Sequence, residues 1–188
     1  MNLLNGALGS ELTAGISKQT GASEAETQSV ISTALPALFG ALQNNASSSQ
    51  GAQGILSAIG SKHDGSILDN LSGFLGSNDT SDGNGILKHL LGDKQGALEQ
   101  GISTKTGVSS STVSKILAML APVVMGYLGK QSRSNNVSDE NGLGNLLGGL
   151  MGGQSGSNVL GGLLDQNGDG KLGIDDVGGL LGGFFGKK

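Results

Sequence analysis

Oxygen-bearing side chains recur at alternate positions where the chain reads Asp165-Gln-Asn167-Gly-Asp169-Gly170-Lys171-Leu172-Gly-Ile-Asp-Asp176. Asp165, Asn167 and Asp169 fall at positions 1, 3 and 5 of a twelve-residue loop. Gly170, at position 6, permits the sharp turn that folds such a loop around an ion. Lys171 offers its backbone carbonyl at position 7, and Asp176 closes the sphere at position 12. Leu172, between them, is placed to anchor the loop among apolar neighbours. A hard cation takes six to eight oxygens from a bendable backbone. The spacing therefore predicts a Ca²⁺ site made by Asp165, Asn167, Asp169, Lys171 and Asp176. Asp-Asn-Gly clusters are also ordinary turn chemistry, but a turn alone does not require all these features in one register.

The loop departs from the EF-hand pattern in two places. Asp176 stands where a Glu is usual, so the closing carboxylate is one methylene shorter. In this and in its D-x-N-x-D-G opening the loop resembles dockerin-type repeats more than calmodulin-type hands. A shorter closing carboxylate also suits the smaller, octahedral Mg²⁺. Gly173 has no side chain to offer at position 9, so a water is expected there. Three carboxylates and one amide predict an affinity of roughly 10⁻⁶ to 10⁻³ M. Dockerins carry two such loops and this chain shows one, so cohesin binding is not implied.

The elements that must hold the loop are unusual in composition. From Gly142 to Gly186, seventeen of forty-five residues are Gly, and each costs about 1 kcal/mol in a helix relative to Ala. Leu143, Leu146, Leu147 and Leu150 nevertheless keep helical spacing, as do Leu160, Leu163 and Leu164. Val177, Leu180, Leu181, Phe184 and Phe185 form a further stripe after the loop. Short helices result, stable only when docked, with the metal loop between two of them. The stripes suggest that the tail docks on itself, on a second copy or on another protein.

The rest of the chain is organised by an internal repeat. Gly15-Ile-Ser-Lys-Gln-Thr20-Gly21-Ala-Ser23 returns as Gly101-Ile-Ser-Thr-Lys-Thr106-Gly107-Val-Ser109, an offset of 86 residues. The only two prolines, Pro36 and Pro122, keep the offset, as do Gly40 with Gly126 and Leu42 with Leu128. Such register predicts a duplicated helix-turn-helix unit. In each copy Gly21 or Gly107 ends the first helix and Ser23 or Ser109 caps the second. Ser23 with Glu26 reads as a capping box. The second helix of the first copy is apolar at Val30, Ile31, Ala34, Leu35, Leu38 and Leu42. Both prolines fall inside the second helices, where each should kink its helix. Between the copies run three shorter stripes: Ile55, Leu56 and Ile59; Ile67 to Leu75; and Ile86, Leu87, Leu90 and Leu91. A polar loop is expected over 77–84.

Composition sets outer bounds. With 36 Gly, four Phe, one Tyr and no Trp, close packing across small residues must replace bulky core filling. The net charge is −4 and Arg133 is the single arginine, which argues against a nucleic-acid surface. The absence of Cys excludes disulfides and thiolate chemistry. No basic-then-apolar leader is visible at the N-terminus, which points to the cytoplasm or to non-classical export to the cell surface. No apolar run reaches about 18 residues, so no transmembrane segment is expected.

Two further patterns could do chemistry. His63 adjoins Asp64, and His89 precedes Asp93 by four residues, but neither sits in a nucleophile motif. Capping or surface hydrogen bonding is the expected role. The run from Ile102 to Leu117 looks like the helix-turn-helix of LacI-type repressors. A recognition helix needs a polar, cationic face, yet this one runs into Leu117-Ala-Met119-Leu-Ala-Pro122-Val-Val-Met125. A structural turn is the better reading.

Gly54-Ile-Leu, Lys62-His63-Asp64-Gly65-Ser66-Ile67-Leu68-Asp69-Asn70-Leu71 and Asp82-Gly-Asn-Gly85-Ile86-Leu87-Lys88-His89-Leu90-Leu91-Gly92 together resemble the bacterial YidB-like family. The resemblance covers Met1 to Gln131. It implies a multihelical domain without known activity or catalytic residues, and it does not reach the metal loop. The expectation is an all-α chain: a bundle from a duplicated helix-turn-helix unit at 1–131, a linker at 132–141 and a Gly-rich calcium-binding tail at 142–188. Its expected role is non-enzymatic, with Ca²⁺ ordering the tail for docking or self-assembly.

Overall fold

Two helical corners, 86 residues apart, share one construction. The computed structural model describes residues 6–77 and 79–151. Helices α1 (Ala7–Thr20) and α2 (Glu24–Ala46) form the first corner. Helices α6 (Gln95–Thr106) and α7 (Ser110–Ser134) form the second. Gly21 and Gly107 close the first helix of each corner in the left-handed region, at φ 75° and 76°. Their amides donate to Ser17 and Ser103 carbonyls at 2.9 and 2.8 Å. Thr20 and Thr106 hydroxyls donate back to Ile16 and Ile102 carbonyls at 2.8 and 2.7 Å. The glycine amides satisfy carbonyls that a helix end would otherwise leave open.

The N-caps then diverge. Ser23 accepts from the Glu26 amide at 3.2 Å, and the Glu26 carboxylate accepts from the Ser23 amide at 2.8 Å, the capping box expected from sequence. Hydrogen bonds from Ser23, side chain first, hold the Glu26 carboxyl below its ordinary range. In the second corner Thr112 stands in place of Glu26 and only the forward bond forms, from its amide to Ser109 Oγ at 3.2 Å.

Between the corners lie α3 (Ser49–Ser61), α4 (Leu71–Gly76) and α5 (Ser81–Leu91), with short 3-10 turns at Ser66–Leu68 and Gly92–Lys94. The stripe from Ile67 to Leu75 is thus broken, because Asn70 adopts a non-helical φ of −136°. The polar loop is shorter than expected. Asp79 accepts from the Ser81 amide at 2.9 Å and turns the chain into α5. Helix α7 continues to Ser134, and α8 spans Glu140–Leu150. Packing divides the chain into Met1–Leu147 and Gly148–Lys188. The first of these units is all-helical among the described residues.

Helix α7 is the spine of that unit. It packs against α1, α2, α3, α5, α6 and the Ser66–Leu68 turn. Every residue from Ile116 to Gly126 is buried. Helix α2 instead buries one stripe, Val30, Ile31, Ala34, Leu35, Leu38, Phe39 and Leu42, along with Thr27. Pro36 and Pro122 both lie within their helices, as the sequence implied. Pro122 has no amide hydrogen, so the Ala118 carbonyl loses its usual donor four residues on. Gly83 of α5 packs against that same oxygen. The helices approach so closely that a Cβ on Gly83 would collide with the Ala118 carbonyl, a backbone group that cannot swing away. Weak Cα–H···O contacts of this kind recur at helix–helix interfaces.

Two glycines of α5 separate packing from propensity. Gly83 is buried against Ala118, while Gly85 has open space where a Cβ would stand. Gly85→Ala should stabilise the protein by up to about 1 kcal/mol through helix propensity. Gly83→Ala should destabilise it by about 1–3 kcal/mol through overpacking. Urea denaturation of both variants checks the pair. Equal stabilisation by both would contradict the close approach.

Candidate functional site

The loop Asp165, Asn167, Asp169, Lys171 and Asp176 lies outside the described residues. Among the described residues no group of three or more His, Asp or Glu could hold a metal ion. What the described residues do bring together is the segment from Lys62 to Asn70, where α3 ends and the chain turns along α7.

That turn is held from two sides. On one side His63 is 7% exposed, and its Nε2 lies 3.7 Å from Asp82 Oδ2 in the first turn of α5. On the other, the His63 carbonyl rests against Gly129 of α7, where a Cβ would overlap it. Asp64 pairs with Arg133 of α7 at 3.2 Å, and Asp69 with Lys130 at 3.6 Å. The Ser66 amide donates to Asp64 Oδ1 at 3.0 Å, fixing the turn locally.

These neighbours set the titration behaviour. Burial lowers the pKa of His63 below the ordinary imidazole value; Asp82 raises it back in part and Lys62 lowers it further. Hydrogen bonds from Ser66, side chain before backbone, keep the Asp64 carboxyl below its usual range, and Arg133 adds to them.

The expectation of capping or surface hydrogen bonding needs correction for His63. It is buried and pairs with Asp82, which stands nineteen residues along the chain, rather than with its neighbour Asp64. No local spacing marks Asp82; only the packing of α5 on α7 brings it there. His89 is exposed and lies near Gly54.

Beside the turn is an open cleft of about 190 Å³. Leu56, Ile59 and Asp64 form one wall, and Gly129, Arg133 and Val137 the other. Ser132 also lines it, but its hydroxyl already donates to the Val137 carbonyl at 3.1 Å. Further along, Glu140 accepts from Ser49 at 2.9 Å and Gln53 at 3.2 Å, which ties the start of α8 to α3. The arrangement is suited to holding elements together: His63, Asp64 and Asp69 of the turn each face a charged side chain on a neighbouring helix.

Helix α7 has the length and composition to cross a membrane, but 78% of its apolar window is buried inside the protein.

Comparison with known proteins gives one match. The family described as "Bacterial protein of unknown function (DUF937)" matches residues 2–131, from before α1 to near the end of α7. No curated protein and no solved structure matches.

The two roles of Asp64 can be separated. Asp64→Asn keeps an acceptor for the Ser66 amide but removes the charge facing Arg133; Asp64→Ala removes both. Because exposed ion pairs contribute little, the Asn variant should keep a urea midpoint close to wild type and the Ala variant should fall below it. Equal losses in the two would place the weight on the Arg133 pair instead.

Proposed function

We propose, for a chain that belongs to the DUF937 family of bacterial proteins of unknown function, a non-enzymatic structural or interaction role in which Ca²⁺ orders the C-terminal tail. The observation that carries this reading is the register of Asp165, Asn167, Asp169, Lys171 and Asp176 around Gly170. Within the family, the His63 and His89 segments favour a YidB-like member. The two helical corners, alike in their glycine C-caps and proline position, are read as copies of one duplicated unit. The domain they build is engaged in its own packing, which suits a scaffold that presents a tail.

Three carboxylates close together repel one another until a cation arrives. Metal binding and tail folding are therefore coupled, and any ligand that binds only the folded tail stabilises it by mass action. A tail ordered in this way would dock on a partner or on a second copy. A second reading keeps the metal as a passive staple in a cytosolic or envelope-associated protein, since the unit Met1–Leu147 ends before the loop begins. DNA binding is disfavoured by the burial of α7 from Ile116 to Gly126.

Titration calorimetry with CaCl₂, and separately MgCl₂, tests the site. Wild type should bind one ion with a Kd of roughly 10⁻⁶ to 10⁻³ M, and Asp165→Ala should bind at least tenfold more weakly. Equal heats from the two proteins would overturn the assignment.

A further inference from the structure

We propose that the turn at His63 to Gly65 is a proton-operated latch on α7: a proton taken up by His63 releases the turn and opens the cleft that it walls. The inference rests on the described domain and is independent of the metal loop.

The geometry is that of a clamp with a titratable pin. His63 is 7% exposed and lies where the turn meets both α5 and α7. Among the described residues the carboxylate near its ring is that of Asp82 of α5, at 3.7 Å. That separation is beyond hydrogen-bond reach, and the Asp82 side chain is 48% exposed, so much of its field is screened by solvent. Lys62, next in the chain, repels a charge on the ring. From α7 the charged groups are Arg133, already paired with Asp64, and Lys130, paired with Asp69; both are cationic. An imidazolium at this place would thus be buried, with Asp82 offsetting that cost in part and Lys62 adding to it. Such a charge is disfavoured where the ring stands.

Relief by a small rearrangement in place is restricted. The His63 carbonyl is already in backbone contact with Gly129. Gly65, at φ 101°, continues the turn close to Lys130. The ring reaches water most readily if the turn lifts from α7. Asp64 belongs to the lifted segment and Arg133 stays on α7, so lifting takes Asp64 out of its wall and away from Arg133, while Leu56 and Ile59 stay on α3.

The sign follows from linkage. With the turn closed the imidazole is harder to protonate; with the turn open it regains an ordinary value near 6.5. The open form therefore binds the proton first. Closure is most favoured above the free imidazole pKa and weakens as pH falls from there toward the lowered pKa of the closed form. Below that lowered value the loss is complete and no longer changes.

Hydrogen exchange of the full-length protein at pH 8 and pH 5, corrected for intrinsic rates, reads the latch. Protection of the segment 62–70 should fall at least threefold at pH 5, while amides from Ile116 to Leu128 keep theirs. His63→Gln, which carries no titratable ring, should lose this difference, and His89→Gln should retain it. Unchanged or greater protection of 62–70 at pH 5 would overturn the proposal, as would a difference that survives in His63→Gln. Should His63→Gln fail to fold, an NMR titration of the wild-type ring decides. A midpoint below the ordinary imidazole value near 6.5, shared by the amides of 62–70, supports the latch. A midpoint at or above that value, or turn amides that do not follow the ring, rejects it.

Discussion

The contact on which the domain depends is that of Gly83 with the Ala118 carbonyl. Pro122 withdraws the amide that would normally occupy this oxygen, and α5 fills the place with a residue that has no side chain to hold it off. A missing hydrogen bond and a missing Cβ meet at one point, and two backbones come together there. The His63 carbonyl does the same against Gly129 farther along α7. With no Trp and few other aromatics, the protein has little bulk with which to fill wide gaps between helices. Close approach supplies the packing density that large side chains would otherwise provide.

The remaining architecture follows from that constraint. A helix approached on several sides must be apolar around its circumference, and α7 is buried without a break from Ile116 to Gly126. Its counterpart α2 buries only a stripe. The two corners begin with the same cap geometry and then part in burial and in their N-cap partners. The turn at His63 is held between α5 and α7 because those two helices already lie so near each other. An imidazole enclosed at such a junction makes the turn responsive to protons.

Much of the domain was legible in the sequence because its signals are local. Caps at Ser23 and Ser109, left-handed glycines at Gly21 and Gly107, and the apolar spacing of α2 each act within a few residues. The break at Asn70 and the early start of α5 at Ser81 were not legible, since backbone angles and an Asp79 cap decide them rather than apolar spacing. The partnership of His63 with Asp82 was hidden for another reason. It depends on where α5 lands on α7, and that is fixed by Gly83 and Pro122, residues that read from sequence as a helix weakener and a kink. The pairs Asp64–Arg133 and Ser49–Glu140 join segments far apart in the chain and leave no mark in local spacing.

The described domain lies in residues that precede the metal loop, and the proposed ion chemistry belongs to the tail. This division is the centre of the functional reading, and hydrogen exchange along the whole chain, with saturating Ca²⁺ and with chelator, tests it most directly. Amides from Leu160 to Phe185 should exchange quickly under chelator and slowly with Ca²⁺, while those from Leu12 to Leu128 should not change. A tail equally protected in both conditions, or a core whose protection moves with the metal, would contradict it.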